Sequence, residues 1–137
     1  MGNIHKFTDN IKSDVAMAIA TLNNSANTPT YYSMANYDLA VFLVFSGTLA
    51  AGAAVTLQPR QRIGAAGAQA NVGTASALTD ADDDEVNVLQ VRGEDLTVNS
   101  SYDRVGILCT ETGVQNAELG VIILRMRARY KQSSLPS

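Results

Sequence analysis

The chain has 137 residues, with 10 Lys and Arg against 13 Asp and Glu, one His, one Cys and no Trp. That length suits one domain able to bury roughly two-thirds of the surface its unfolded chain exposes. A net charge of −3 argues against the basic footprint of a general nucleic-acid binder, and a lone Cys leaves no intrachain disulfide and no Cys-based zinc site.

Met1 to Phe7 carries no apolar run ahead of Asp9 and Asp14, so no secretory leader is expected. In residues 1–28, Ile11, Val15, Ile19 and Leu22 recur at helical spacing, with Thr8 or Asp9 as a start signal and Asn23-Asn24 as a stop. One stripe of four apolar residues is marginal as an isolated helix. The segment is therefore expected to be an extended arm that orders on a partner, with a short helix as the other possibility. His5 sits in it with no Cys, Asp or His at ligand spacing and is expected at the surface.

From Pro29 the signal turns to β-structure, and 29–131 is expected to form one domain. Residues 30–34 suit a pleated surface. Residues 38–45 are apolar on both faces, Leu39, Val41, Leu43 and Phe45 on one and Ala40, Phe42 and Val44 on the other, which predicts a central strand covered on both sides. The run from Leu39 to Ala54 is too short for a membrane helix and holds Gly47 and Gly52, so no membrane partner is expected. A strand over 53–58 should end at Pro59. Residues 61–79 are small and low in complexity, and are expected as a long loop that lies on a neighbour or stays disordered.

Five acids fill the six positions from Asp80 to Glu85, and a strand follows over 86–91. Residues 93–95 form a turn and 96–101 a short extended piece. Residues 103–110 make a strand in which Cys109 reads as a small buried hydrophobe, and 111–116 a turn. The last strand, 118–131, ends with Arg125, Arg127 and Arg129 on one face, before a frayed tail over 132–137. Strands separated by turn signals, with no helical period after residue 24, predict an all-β chain: a β-sandwich, with the jelly roll as one form of it.

Asp80, Asp82 and Asp84 are the one candidate metal set, because alternating oxygen ligands suit calcium. The Gly at position 6 and the Glu at position 12 of a helix–loop–helix calcium loop are absent, so a solvated loop is the preferred expectation and no cofactor is expected. Arg125, Arg127 and Arg129 read equally as a charged edge strand guarded against aggregation and as a dock for an acidic surface. With one His in the N-terminal segment, a Ser–His–Asp triad is not expected, and neither is an enzyme.

Residues 37–60, from Tyr37-Asp-Leu-Ala-Val-Phe to Val55-Thr-Leu-Gln-Pro-Arg60, and residues 102–131, from Tyr102-Asp-Arg-Val-Gly to Arg125-Met-Arg-Ala-Arg-Tyr-Lys131, resemble a group of small tailed-bacteriophage head decoration, or capsid cement, proteins. The resemblance implies a structural virion protein on the capsid exterior, made in the host cytoplasm. Its partners would be the major capsid protein and copies of itself, as a dimer or trimer. Residues 61–85 and the three alternating arginines depart from that group's pattern. Ile11, Val15, Ile19, Leu22, Arg125, Arg127 and Arg129 are the expected contact residues. A tail-tube or connector component is the first alternative. A carbohydrate-binding attachment module is the second, disfavoured by the lack of Trp.

Overall fold

The computed structural model describes residues 11–96 and 101–127; His5, Arg129, Lys131, the 132–137 tail and residues 97–100 of the 96–101 segment lie outside them. Among the described residues nine strands form: β1 Ile11–Leu22, β2 Tyr32–Ser33, β3 Leu39–Leu49, β4 Ala54–Arg62, β5 Gln69–Asn71, β6 Ser76–Thr79, β7 Val86–Arg92, β8 Arg104–Glu111 and β9 Ala117–Met126. Asp80–Asp82 and Gly93–Asp95 are single turns of 3-10 helix.

The strands make two antiparallel sheets. One has the order β1-β9-β3-β7, and the other β2-β8-β4-β5 with β6 also against β4. With β5 and β6 counted as one interrupted strand, the first strand pairs the last, the second the next to last, and so on inward. That nested pairing is a long hairpin wrapped around a core, the jelly roll, and the chain is the expected all-β sandwich.

The two inner faces meet through Phe42, Val44, Leu57, Ile107, Leu119 and Ile123, all essentially without solvent contact. Each such side chain contributes roughly 1.5–3 kcal/mol by leaving water. Cys109 belongs to this core, and burial pushes its thiol up to about 12, so it stays protonated and unreactive.

Four expectations change. Residues 11–22 are neither helix nor arm; they form β1, the edge strand beside β9, with Ala16, Met17 and Leu22 in the core. The spacing from Ile11 through Val15 to Ile19 is four residues, an even number, so it fits a strand face as well as a helix face. Leu22 follows Ile19 by three residues, an odd number, so alternation turns it inward. The two one-residue register irregularities, between Val15 and Met17 and between Met17 and Ala20, together leave that alternation unchanged.

Residues 61–79 are not one loop, because β5 and β6 run along β4 and bury Val72 and Leu78. β4 passes through Pro59 instead of stopping there. The Pro59 carbonyl accepts from Val72 N at 3.0 Å, so its ring nitrogen faces that same side, in the gap between β5 and β6, and the ladder to β8 loses no donor. The last strand, expected to reach 131, ends at Met126 among the described residues.

Candidate assembly surface

The register of the first sheet places its outward side chains in rows that cross all four strands. Val15, Ile122, Leu43 and Val88 are aligned by successive pairings from β1 through β9 and β3 to β7. The next row is Gly120, Phe45 and Val86, and Ile19 closes it: a Cβ on Gly120 would stand 2.8 Å from Ile19 Cγ1, so the Ile19 side chain fills the place a larger residue would need. On the other side lie Ser13, Leu124, Val41 and Gln90, and then Ile11, Met126, Leu39 and Arg92.

Two rows are apolar from edge to edge, and the other two carry polar residues only at the flanks. Val15 is 63% exposed, Ile19 79%, Val86 55%, Val88 61% and Phe45 37%. Five of the six large apolar side chains that stand open among the described residues therefore share this one face; the sixth, Val114, is in a turn. A contiguous apolar patch of this kind marks a contact surface, whereas scattered exposed residues would not.

Charge is distributed unevenly along the strands of that sheet. At the Phe45 end lie Asp80 to Glu85 and Glu118, which rests over Gly47. The acids there hold the chain in shape: Asp82 Oδ2 accepts from Thr79 N at 2.7 Å, and Asp83 Oδ1 from Leu49 N at 2.7 Å. Ser46 Oγ donates to Asp82 O at 2.6 Å and accepts from Glu85 N at 3.0 Å, stitching the acidic segment to β3. Asp80, Asp82 and Asp84 do not converge, and the described residues contain no group of three His, Cys, Asp or Glu placed to hold a metal ion. The Leu39 end is mixed, with Lys12, Arg92 and Arg127 beside Glu94 and Asp95; Arg92 lies 3.6 Å from Glu94 in an exposed pair.

The arginines do not form one open stripe. Arg125 points into the mouth of the sandwich, where its side chain is 11% exposed. It donates to Asp14 Oδ2 at 3.0 Å and to Ser33 O at 2.8 Å, and its guanidinium lies over the rings of Tyr32 and Tyr37 at 5.3 and 4.8 Å. Tyr32 also donates to Val15 O at 2.9 Å, so this cluster ties β1 to β2 and β9. Arg127 is exposed just past the strand. Of the contact residues expected from sequence, Ile11, Val15 and Ile19 share the outer face, Leu22 is in the core, Arg125 is engaged within the fold, and Arg129 is outside the described residues.

Sequence reasoning missed Leu43, Phe45, Val86, Val88 and Ile122 as surface residues. The signal was present in β3, whose two apolar faces called for two covers. The other sheet covers one; on the other, Val41 is buried while Phe45, with Val86 and Val88 beside it, stands open.

No protein-family model matches the sequence, and no curated protein matches it. Among solved structures, the chain is similar to one of the infectious bursal disease virus Gt strain, at 14% identity over 91% of this chain and 33% of that chain, with a TM-score of 0.52. A structure of the Gx strain gives 10% identity, 88% and 33% coverage, and a TM-score of 0.52. The T13 particle of the same virus gives 13%, 85%, 31% and 0.50. The chain spans about a third of the length of those chains, and at such identities the likeness is one of fold.

Proposed function

We propose that this chain is a structural virion protein, a cement that binds the outer surface of a phage capsid and stabilises the expanded shell. The observation that carries it is the four-strand apolar face, because a subunit of a repetitive assembly has neighbours against which to bury such a face. The jelly roll supports the reading through its use in viral capsid domains and its likeness to a part of the bursal disease virus chains. The resemblance of residues 37–60 and 102–131 to head decoration proteins supports the same assignment. The partners are the major capsid protein and further copies of the chain, the place is the capsid exterior, and no catalytic step or cofactor is assigned.

A protein that binds the expanded shell and not its precursor stabilises the expanded state by mass action. Repetition supplies the rest, because many weak contacts on one shell hold far better than one. Arg127, exposed just past β9, is a basic group that meets an acidic shell surface, each exposed pair adding at most about 1 kcal/mol.

Co-sedimentation of the purified chain with expanded capsids and precursor shells tests this. Saturable binding to expanded shells at a fixed ratio to the capsid subunit, with greater resistance of those shells to heat, is expected. Absence of binding to either shell, with rings or tubes growing from the chain alone, would overturn it in favour of a tail component.

A carbohydrate-binding role has one observation in its favour, an open cleft of about 1140 Å³ at the Leu39 end, where Tyr37 and Tyr102 stand with Asp38 and Asp103. Tyrosine faces with flanking carboxylates suit a sugar ring. Saturable glycan binding that Tyr102→Ala abolishes, together with no shell binding, would favour that role.

A further inference from the structure

The geometry points to a specific occupant for the apolar face: a second copy of this chain, packed sheet to sheet about a two-fold axis that runs across the strands. The inference concerns the free protein in solution and stands whether or not the chain binds a capsid.

Shape supports a second copy. The face is a four-stranded sheet with two fully apolar rows and no charge inside its perimeter, and such a face is complemented by another sheet about 10 Å away whose side chains interdigitate with its own. A two-fold contact uses the same patch on both partners, so a patch that is self-complementary in chemistry is sufficient.

Charge selects the orientation. An axis along the strands would place Asp80 to Glu85 and Glu118 of one copy over the same acids of the other. An axis across the strands turns the second copy end for end, and the acids then meet the mixed end, where Lys12, Arg92 and Arg127 stand with Glu94 and Asp95 and bring a small positive excess. The first arrangement gathers like charges at an interface, which is costly; the second relieves them. In the second arrangement β7 also lies over β7 of the other copy, and Arg92 of each approaches Val86 and Glu85 of its mate.

Area sets the strength. Four strands about 4.8 Å apart and four rows about 7 Å apart span roughly 500 Å² per copy, so about 1,000 Å² in total, the lower limit for a specific contact. Pairing is therefore weak and reversible for the free chain, and becomes complete where copies are held close together.

Sedimentation velocity of the full chain over a concentration series, with single-cysteine crosslinking, tests the proposal. The weight-average mass should rise from monomer toward dimer with concentration, and Val88→Asp should weaken pairing at least tenfold. Val88 is 61% exposed, so the circular dichroism and thermal midpoint of that variant should match the parent. Because Cys109 is buried, an introduced thiol is the one that reacts. Val88→Cys should give covalent dimers with itself under a short bismaleimide, because the two β7 strands are superposed.

A mass that stays monomeric up to millimolar concentration would overturn the inference, as would a dimer indifferent to Val88→Asp. Crosslinking of Val88→Cys to Val15→Cys and not to itself would overturn the orientation, since β7 would then lie over β1. Protection of the Val88→Cys thiol from alkylation in the monomer would show that another part of the chain occupies the face, and would also overturn it. Retained shell binding by Val88→Asp would separate loss of pairing from loss of the cement reading.

Discussion

Glu111 is 1% exposed, and yet its carboxylate is accommodated as an anion. Burial alone would raise its carboxyl. Four backbone N–H groups outweigh that by donating to it, from Ala54 at 3.0 Å, Asn24 at 2.8 Å, Gly113 at 2.7 Å and Gln115 at 3.2 Å, and hold it at about 2. One side chain thus fastens three separate turns: the end of β1, the β3–β4 connection and the β8–β9 turn. Because the folded value lies below the ordinary 4.5, the stabilisation is complete above pH about 4.5 and is lost as the pH falls toward about 2. Glu111→Gln presents an amide N–H₂ to N–H donors and should lower the thermal midpoint at neutral pH by roughly 5–10 °C. Acid titration of stability for both proteins checks this, the Gln variant showing a flatter fall between pH 4.5 and 2. Arg125 has a comparable role at the opposite end of the sandwich. Arg125→Ala should cost about 2 kcal/mol in urea unfolding, since it leaves Asp14 and the Ser33 carbonyl without their donor. Arg127→Ala should stay within about 0.5 kcal/mol, as expected for an exposed surface group.

At the scale of elements, β1 separates two pictures of the chain's N-terminal part. An edge strand has one neighbour, so alternate amides of Ile11–Leu22 bond to β9 while those between them face water. Hydrogen exchange along β1 should alternate between slow and fast amides, with the alternation broken near Val15 to Ala20 where the register shifts. A helix would protect runs of amides, and an arm would protect none. The sequence made the sandwich legible where β-branched and aromatic residues cluster, in β3, β7, β8 and most of β9. It misled in β1 because a four-residue spacing belongs to both periods and bulges leave no sequence mark. It was silent in β5 and β6 because Ala, Ser and Gly carry little periodicity, and Leu78 of β6 with Val72 just past β5 are the buried apolar side chains that this stretch adds to the core. The outer face was half legible. β3 required a second cover, but which residues of β1, β7 and β9 shared that face depended on register, and register is set by pairing across the whole chain.

At the scale of the molecule, nested pairing makes the N-terminal part indispensable. Ile11 pairs with Met126 and Leu22 with Ala117, so the first described strand completes its sheet against the last. Were residues 1–28 an arm used only for binding, a chain starting at Pro29 would fold normally and merely lose its partner. In this fold the same deletion removes Ala16, Met17 and Leu22 from the core, together with Asp14, the carboxylate that Arg125 holds. Losing two large core side chains alone costs about 2–5 kcal/mol each, and exposing the flank of β9 adds an unpaired edge. Set against a net stability of about 5–15 kcal/mol for a domain, the loss consumes most of what holds the fold. The 29–137 chain should therefore show no cooperative urea transition, or one with a midpoint far below that of the full chain, and should aggregate through β9. A separately added peptide of residues 1–28 should restore cooperative unfolding by pairing with β9. A sharp transition in the truncated chain, at an unchanged midpoint, would instead return residues 1–28 to the status of an arm.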